Sequence, residues 1–257
     1  MPPTTPHAAV VVLAGGSGTR VGAGMNKVYL PLGGRRVISW SLLQAAEVPA
    51  VRAMVLVIRP EDAALARSTL AEECPGLTVA VVTGGSSRHA SEQAALTHLA
   101  PAVAAGDIDV VVIHDGARPL AGANLFRKVI DVAAAHGGAV PGVAADDLLP
   151  RDPGTNGTRS ADVPAAGAPA PDVPASPGLV AVQTPQAFRA AELLAAYAEA
   201  AAAGEHGTDT AATLERFSRL PVHLVPGTRR NVKVTYPADV ALVERLLAAD
   251  PEDAPLS

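Results

Sequence analysis

The chain has 257 residues, 49% of them hydrophobic, 18% charged and 3% aromatic, with a formal net charge of −5. That length and apolar content suffice for one α/β domain with a buried core, and the acidic balance excludes the surface-wide basic field that general nucleic-acid and membrane-surface binders need. The single cysteine, Cys74, excludes an intramolecular disulfide and a cysteine-rich metal site and fits a reducing, cytoplasmic setting. Residues 1–9 lack a basic n-region, and the apolar run 10–13 is too short for a signal-peptide core or a membrane span, so a soluble protein is expected.

The run at 10–13 reads as a strand and empties into Ala14-Gly15-Gly16-Ser17-Gly18-Thr19-Arg20, with Lys27 following. Glycines let a backbone approach an anion and turn its N–H groups inward, and Arg20 and Lys27 add full positive charge, so the loop is suited to polyphosphate. It is neither of the two best-known phosphate loops. Counting from Gly16, the dinucleotide fingerprint meets Val21 where its last glycine belongs, and Asn26-Lys27-Val28 replaces the Gly-Lys-Ser/Thr of a P-loop.

Further apolar β-branched runs at 54–58, 77–82 and 110–113 alternate with helix-like segments at 37–47, 61–73 and 91–99. A helix near 125–136, a strand near 139–143, a helix near 190–203, a strand at 222–225 and a helix near 238–249 complete the pattern. Strands alternating with helices of this length predict a three-layer α/β domain around a mostly parallel sheet. Between residues 150 and 177 the alternation stops, and Pro153, Pro164, Pro169, Pro171 and Pro174 predict a flexible insertion within the single domain. Residues 250–257 read as a frayed tail.

Open α/β sheets bind ligands beyond the carboxyl ends of their strands, where this chain carries three more chemically loaded segments. These are Thr83-Gly84-Gly85-Ser86-Ser87-Arg88 leading to Ser91, His114-Asp115-Gly116-Ala117-Arg118-Pro119, and Asn231-Val232-Lys233-Val234-Thr235. The first has the glycines and small hydroxyls to wrap a nucleoside. Asp115, at a strand end, is placed to hold Mg²⁺ against a triphosphate, or else to cap a helix or pair with Arg118. His114 reads as a hydrogen-bonded structural group. Lys233, among apolar neighbours, needs a counter-ion that a ligand phosphate would supply, unless its head simply lies in water. Thr208-Asp209 reads as a cap for the helical segment containing Leu214.

Five segments in this order, the four above and Gln183-Thr184-Pro185-Gln186, resemble the IspD family of cytidylyltransferases over most of the chain. The resemblance implies a Rossmann-like nucleotidyltransferase fold, Mg²⁺ as cofactor, and transfer of CMP from CTP to 2-C-methyl-D-erythritol 4-phosphate with release of pyrophosphate, in non-mevalonate isoprenoid synthesis. It also implies a homodimer. By the same likeness Ala14, Gly15, Gly16 and Gly18 cradle the CTP phosphates, and Gly85, Ser86, Ser91 and Gly116 contact cytosine and ribose. Asp115 holds the metal, Arg20, Lys27 and Lys233 neutralise charge during transfer, and Arg118, Asp147 and Thr184 belong to the substrate site.

Two departures concern the acceptor. Asp147 is followed by Leu148, Leu149 and Pro150 where the family pattern has threonine and then lysine, and Ser176-Pro177 stand where an arginine for the acceptor phosphate is expected. The form of the first loop also resembles ribitol 5-phosphate cytidylyltransferases, so another polyol phosphate stays open as acceptor. A nucleotide-binding protein without catalysis is the alternative of another class. A sugar-nucleotide glycosyltransferase is disfavoured because no Asp-x-Asp stands at a strand end.

Overall fold

The computed structural model describes residues 5–16, 25–144, 180–205 and 210–249. Gly18, Arg20, Asp147, the proline-rich stretch 150–177, Thr208-Asp209 and the tail 250–257 lie outside the described residues. The chain opens with β1 (Ala8–Leu13), a short hairpin of β2 (Pro31–Leu32) and β3 (Arg35–Arg36), α1 (Val37–Ala46), β4 (Val51–Ile58), α2 (Ala63–Glu73) and β5 (Ala80–Thr83). Then come α3 (Arg88–Ala104), β6 (Val110–Asp115), α4 (Ala123–His136) and β7 (Gly138–Ala144). After residue 179 follow β8 (Val180–Val182), β9 (Gln186–Arg189), α5 (Ala190–Ala203), α6 (Thr210–Phe217), β10 (Val222–Pro226) and α7 (Pro237–Ala249).

Eight strands form one sheet in the order β10-β7-β9-β6-β1-β4-β5, with β8 paired to β7. The pairs among β6, β1, β4 and β5 are parallel, as is β7 with β10, while β9 runs antiparallel between β6 and β7 and β8 is antiparallel to β7. The mostly parallel sheet expected from the alternating pattern is therefore present, with two short antiparallel strands added. Strand alternation divides β1 between two cores. Val10 and Val12 pack with α1, α2 and α4, and Val11 packs with α3, α5 and α6. All three valines are fully buried, and each such burial contributes roughly 1.5–3 kcal/mol, which is why this strand is an unbroken apolar run.

Several boundaries differ from the sequence expectation, two of them at α3 and β5. The helix expected at 91–99 begins at Arg88, because the Ser87 hydroxyl accepts a hydrogen bond from the Ala90 amide at 3.0 Å and caps it. The run at 77–82 enters the sheet only from Ala80; Leu77 and Val79 instead pack against the larger core beside the Cys74 turn. A third, small core of Leu32, Val37, Trp40, Leu120, Val234 and Val243 fastens the hairpin and α7 beside the carboxyl end of the sheet. It fixes the segment carrying Lys233.

Candidate active site

Beyond the carboxyl ends of β1, β5 and β6 lies a cavity of about 590 Å³. Gly15 and Gly16 form part of its wall directly after β1, and Lys27 stands on a one-turn helix, Lys27–Tyr29, beside them. The capping residue Asn26 is buried. Its Nδ2 donates to the Ala14 carbonyl at 2.6 Å and to Asp62 Oδ2 at 2.9 Å, while Arg59 grips the same carboxylate with two bonds of 2.9 Å. Lys27 is thus presented from a turn anchored to both β1 and the segment after β4.

Gly85, Ser86 and Ser91 form a second wall. A side chain at Gly85 would meet Ala90 Cβ at 2.4 Å, so only glycine lets this turn lie against the first turn of α3. Ser91 holds the turn's shape: its hydroxyl accepts from the Gly85 amide at 3.2 Å and donates to the Ser87 carbonyl at 2.9 Å.

The floor is Asp115, the last residue of β6. Its Oδ1 receives Arg88 Nη1 at 2.5 Å, its Oδ2 receives Lys233 Nζ at 2.7 Å, and Arg118 Nε lies 3.7 Å from Oδ2. Burial alone would raise this carboxyl's pKa, but the neighbouring Arg88 and Lys233 charges prevail and hold it far below the usual carboxylate range. Lys233 reaches Asp115 because Val232 and Val234 on either side pack into the small core, and because its loop is tied to the 115–118 turn. The ties are Val234 N to the Ala117 carbonyl at 2.8 Å and Arg118 Nη1 to the Asn231 carbonyl at 2.7 Å.

His114 lies fully buried beneath this floor. Thr184 Oγ1 accepts from the Asp115 amide at 3.0 Å, so its own hydrogen is directed to His114 Nδ1 at 3.2 Å. That leaves Nε2 as the protonated nitrogen, facing the Arg118 carbonyl and Ser41 Oγ, each at 3.3 Å. Burial lowers the His114 pKa from 6.5 to about 3, so the ring is neutral at physiological pH, as expected of a structural histidine. The unfolded chain takes up a proton from about pH 6.5 downward, whereas the folded chain does so only near 3. Stability contributed by the neutral ring is therefore complete above pH 6.5 and is lost as pH falls, by about 2 kcal/mol at pH 5. The urea midpoint of the wild type should drop across this window, and His114→Asn should flatten that slope whatever its own stability at pH 7.

Several expected site residues are placed differently. Gly116, expected to touch the nucleoside, owes its lack of a side chain to packing: a Cβ there would meet Ile38 Cδ1 at 2.2 Å and the Leu13 carbonyl at 3.0 Å. Arg118 and Thr184, expected at the substrate, are braced inside the protein: Thr184 Oγ1 bonds the Asp115 amide and His114, and Arg118 Nη1 donates to the Asn231 carbonyl. Ala14 is buried, its amide bonded to the Val57 carbonyl at 2.7 Å and its carbonyl to Asn26. Asn26, Asp62 and Glu92 carry no expectation from the sequence, and Arg88 carries none beyond its place in the 83–88 segment. Arg88 had a signal, since it follows a glycine turn at a strand end; the other three are recognisable only from their contacts.

Strand-end loops lining one cavity with glycine amides, two lysines and a carboxylate define a nucleotidyltransferase-type α/β enzyme. The family model described as 2-C-methyl-D-erythritol 4-phosphate cytidylyltransferase matches residues 8–249, and the chain belongs to that family. Relatives named 2-C-methyl-D-erythritol 4-phosphate cytidylyltransferase include one from Solibacter usitatus, 35% identical with 97% of this chain and 99% of that protein covered. Another from Cereibacter sphaeroides is 37% identical, covering 93% and 96%. The crystal structure of the enzyme of that name from Thermus thermophilus superposes with a TM-score of 0.66 at 27% identity, over 93% of this chain and 98% of the other. The fold is also that of 4-diphosphocytidyl-2C-methyl-D-erythritol synthase from Anaerococcus prevotii, 24% identical, with a TM-score of 0.76 over 95% and 97% of the two chains. Among the described residues no helix is long and apolar enough to cross a membrane.

Proposed function

We propose that this chain transfers CMP from CTP to 2-C-methyl-D-erythritol 4-phosphate, with CTP in the cavity beyond β1, β5 and β6. The observation that carries the reading is the meeting of Lys27, Asp115 and Lys233, from three distant stretches of a chain of this family, at one cavity. Gly15, Gly16 and Lys27 receive the phosphates; Gly85, Ser86 and Ser91 face cytosine and ribose. Gly18 and Arg20, outside the described residues, are assigned to the phosphates by resemblance alone, as Asp147 is to the acceptor. The homodimer belongs to the same proposal.

The acceptor phosphate attacks the α-phosphorus and pyrophosphate departs. A phosphate monoester is already anionic near neutral pH, so no protein base is required, and positioning with charge stabilisation supplies the catalysis. Among the described residues no three His, Cys, Asp or Glu side chains gather into a cage for a cation. One hard carboxylate facing a nucleotide site is nevertheless the donor set that Mg²⁺ uses when it arrives with phosphate and keeps several waters, and Asp115 fits that role. When bound there, the divalent cation supplies neutralisation of charge on the phosphates. Lys27 and Lys233 add theirs from two sides of the cavity.

Pyrophosphate release by the purified protein with Mg²⁺ and CTP tests the reading, with methylerythritol phosphate, ribitol 5-phosphate and no acceptor in parallel. Turnover with methylerythritol phosphate is expected. Turnover only with ribitol phosphate would reassign the acceptor, and CTP binding without turnover on either would leave a binding protein.

A further inference from the structure

Arg88 lies between two carboxylates of different character. Its Nη1 meets Asp115 Oδ1 at the cavity floor at 2.5 Å, and its Nε meets Glu92 Oε1 one helical turn along α3 at 2.8 Å. Glu92 is 1% exposed and is held from two other helices: the Tyr197 hydroxyl of α5 donates to Oε2, and Thr210 Oγ1 of α6 donates to Oε1 at 3.0 Å. Tyr197 is itself fixed, fully buried and stacked on His89 with ring centroids 4.6 Å apart. The Glu92 side chain is therefore fixed in place; burial pushes its carboxyl pKa up, and the adjoining Arg88 charge opposes that rise. Arg88, by contrast, is 31% exposed and forms part of the cavity wall.

Three cations already surround this one carboxylate, Arg88 at Oδ1 and Lys233 and Arg118 at Oδ2, so a divalent cation has to compete with them for it, and at Oδ1 the competitor is Arg88. A guanidinium cannot lose its charge by deprotonation, so it gives way only by moving, and a second carboxylate already in contact keeps it paired when it does. Lys233 and Arg118 come from two loops joined by the Val234 amide to the Ala117 carbonyl and by Arg118 Nη1 to the Asn231 carbonyl, and both face Oδ2, whereas Arg88, at Oδ1, already holds a second carboxylate through Nε. We propose that Arg88 holds the place of the divalent cation on Asp115 in the nucleotide-free protein, and that Glu92 is the positioning carboxylate that retains Arg88 once the cation has taken that oxygen. This rests on the reading of Asp115 as the carboxylate that meets the metal.

The two residues then act on cation binding with opposite signs, which a merely structural role would not produce. Free Mn²⁺ measured by electron paramagnetic resonance, without CTP and with CTP against the same Mn²⁺ and CTP lacking protein, and with no acceptor present, reads this. Losing a charge-assisted competitor, Arg88→Gln should bind Mn²⁺ about tenfold more tightly than the wild type. Glu92→Gln should bind it several-fold more weakly, because Arg88 then has only Asp115 to pair with. The double variant Arg88→Gln/Glu92→Gln leaves no charge of this pair without its partner and keeps the test decisive if a single variant folds poorly. It should match Arg88→Gln, since Glu92 acts only through Arg88. Weaker or unchanged Mn²⁺ binding in both Arg88 variants, or a Glu92→Gln loss of equal size with and without Arg88, would overturn the place-holder role alone. Failure of the wild type to take up Mn²⁺ even with CTP would overturn both this role and the reading beneath it.

Discussion

Asp115→Asn is expected to lower kcat/KM for CMP transfer by on the order of 10²–10³-fold, the scale set by removing one preorganised group aimed at transition-state charge. The side chain keeps its shape, so the loss reports charge. In the wild type the carboxylate faces Arg88, Lys233 and Arg118 at once, and an amide would remove the anion that all three share, leaving Arg88 with Glu92 alone, while turning an N–H₂ toward at least one of them. Most of the fall should appear in kcat at saturating CTP, with a higher Mg²⁺ concentration needed for half-maximal rate. The folded-state pKa of Asp115 is depressed, so its contribution to stability is complete above about 3.8, the unfolded value, and is lost as pH falls below it. The Asn variant should accordingly lose part of the wild type's acid sensitivity below pH 4 while keeping the His114 slope nearer neutrality. Wild-type kcat in this variant, measured by pyrophosphate release, would remove Asp115 from the reaction.

The parts of this site that were legible in the sequence are those written in local chemistry. β1, β4 and β6 are buried on both faces and therefore read as apolar runs, and the loops after β1, β5 and β6 carry glycine and charge where open α/β sheets place their ligands. The hairpin of β2 and β3 also had a signal, because Gly33 and Gly34 both take positive φ between its two-residue strands. β9 had none. It is four residues long, opens on buried Gln186, and owes its place to pairing of Val110 with Arg189 and of Gly138 with Phe188, contacts from two distant parts of the chain. The roles of Thr184 and Arg118 were hidden for the same reason. Their motif identified them with the substrate site; the bonds of the Thr184 hydroxyl to the Asp115 amide and His114, and of Arg118 Nη1 to the Asn231 carbonyl, are ones that no sequence spacing reveals.

Lys27→Ala should reduce kcat by on the order of 10²-fold while changing the dissociation constant for CTP, measured by calorimetry, much less. In the proposed complex CTP would spread its charge over the Gly15-Gly16 turn, the divalent cation and the two lysines that line the cavity, and water would reach what one missing ammonium leaves uncovered. Binding therefore tolerates the loss. As pyrophosphate departs, negative charge shifts onto the leaving oxygen, and an ammonium held in place costs no reorganisation at that moment. Lys27 is held in place by its neighbour: the Asn26 side chain bonds the Ala14 carbonyl, Asp62 and, at 3.4 Å, the Val28 amide that follows Lys27. Asn26→Ala should consequently reproduce part of the kcat loss with the lysine still present, and Lys27→Arg, which keeps the charge but exchanges a compact ammonium for a planar fork, should recover only the part that charge alone supplies. Equal losses in kcat and CTP binding for Lys27→Ala would mean that the lysine stabilises bound substrate and transition state alike, and the acceleration would have to come from Lys233 and the metal held at Asp115.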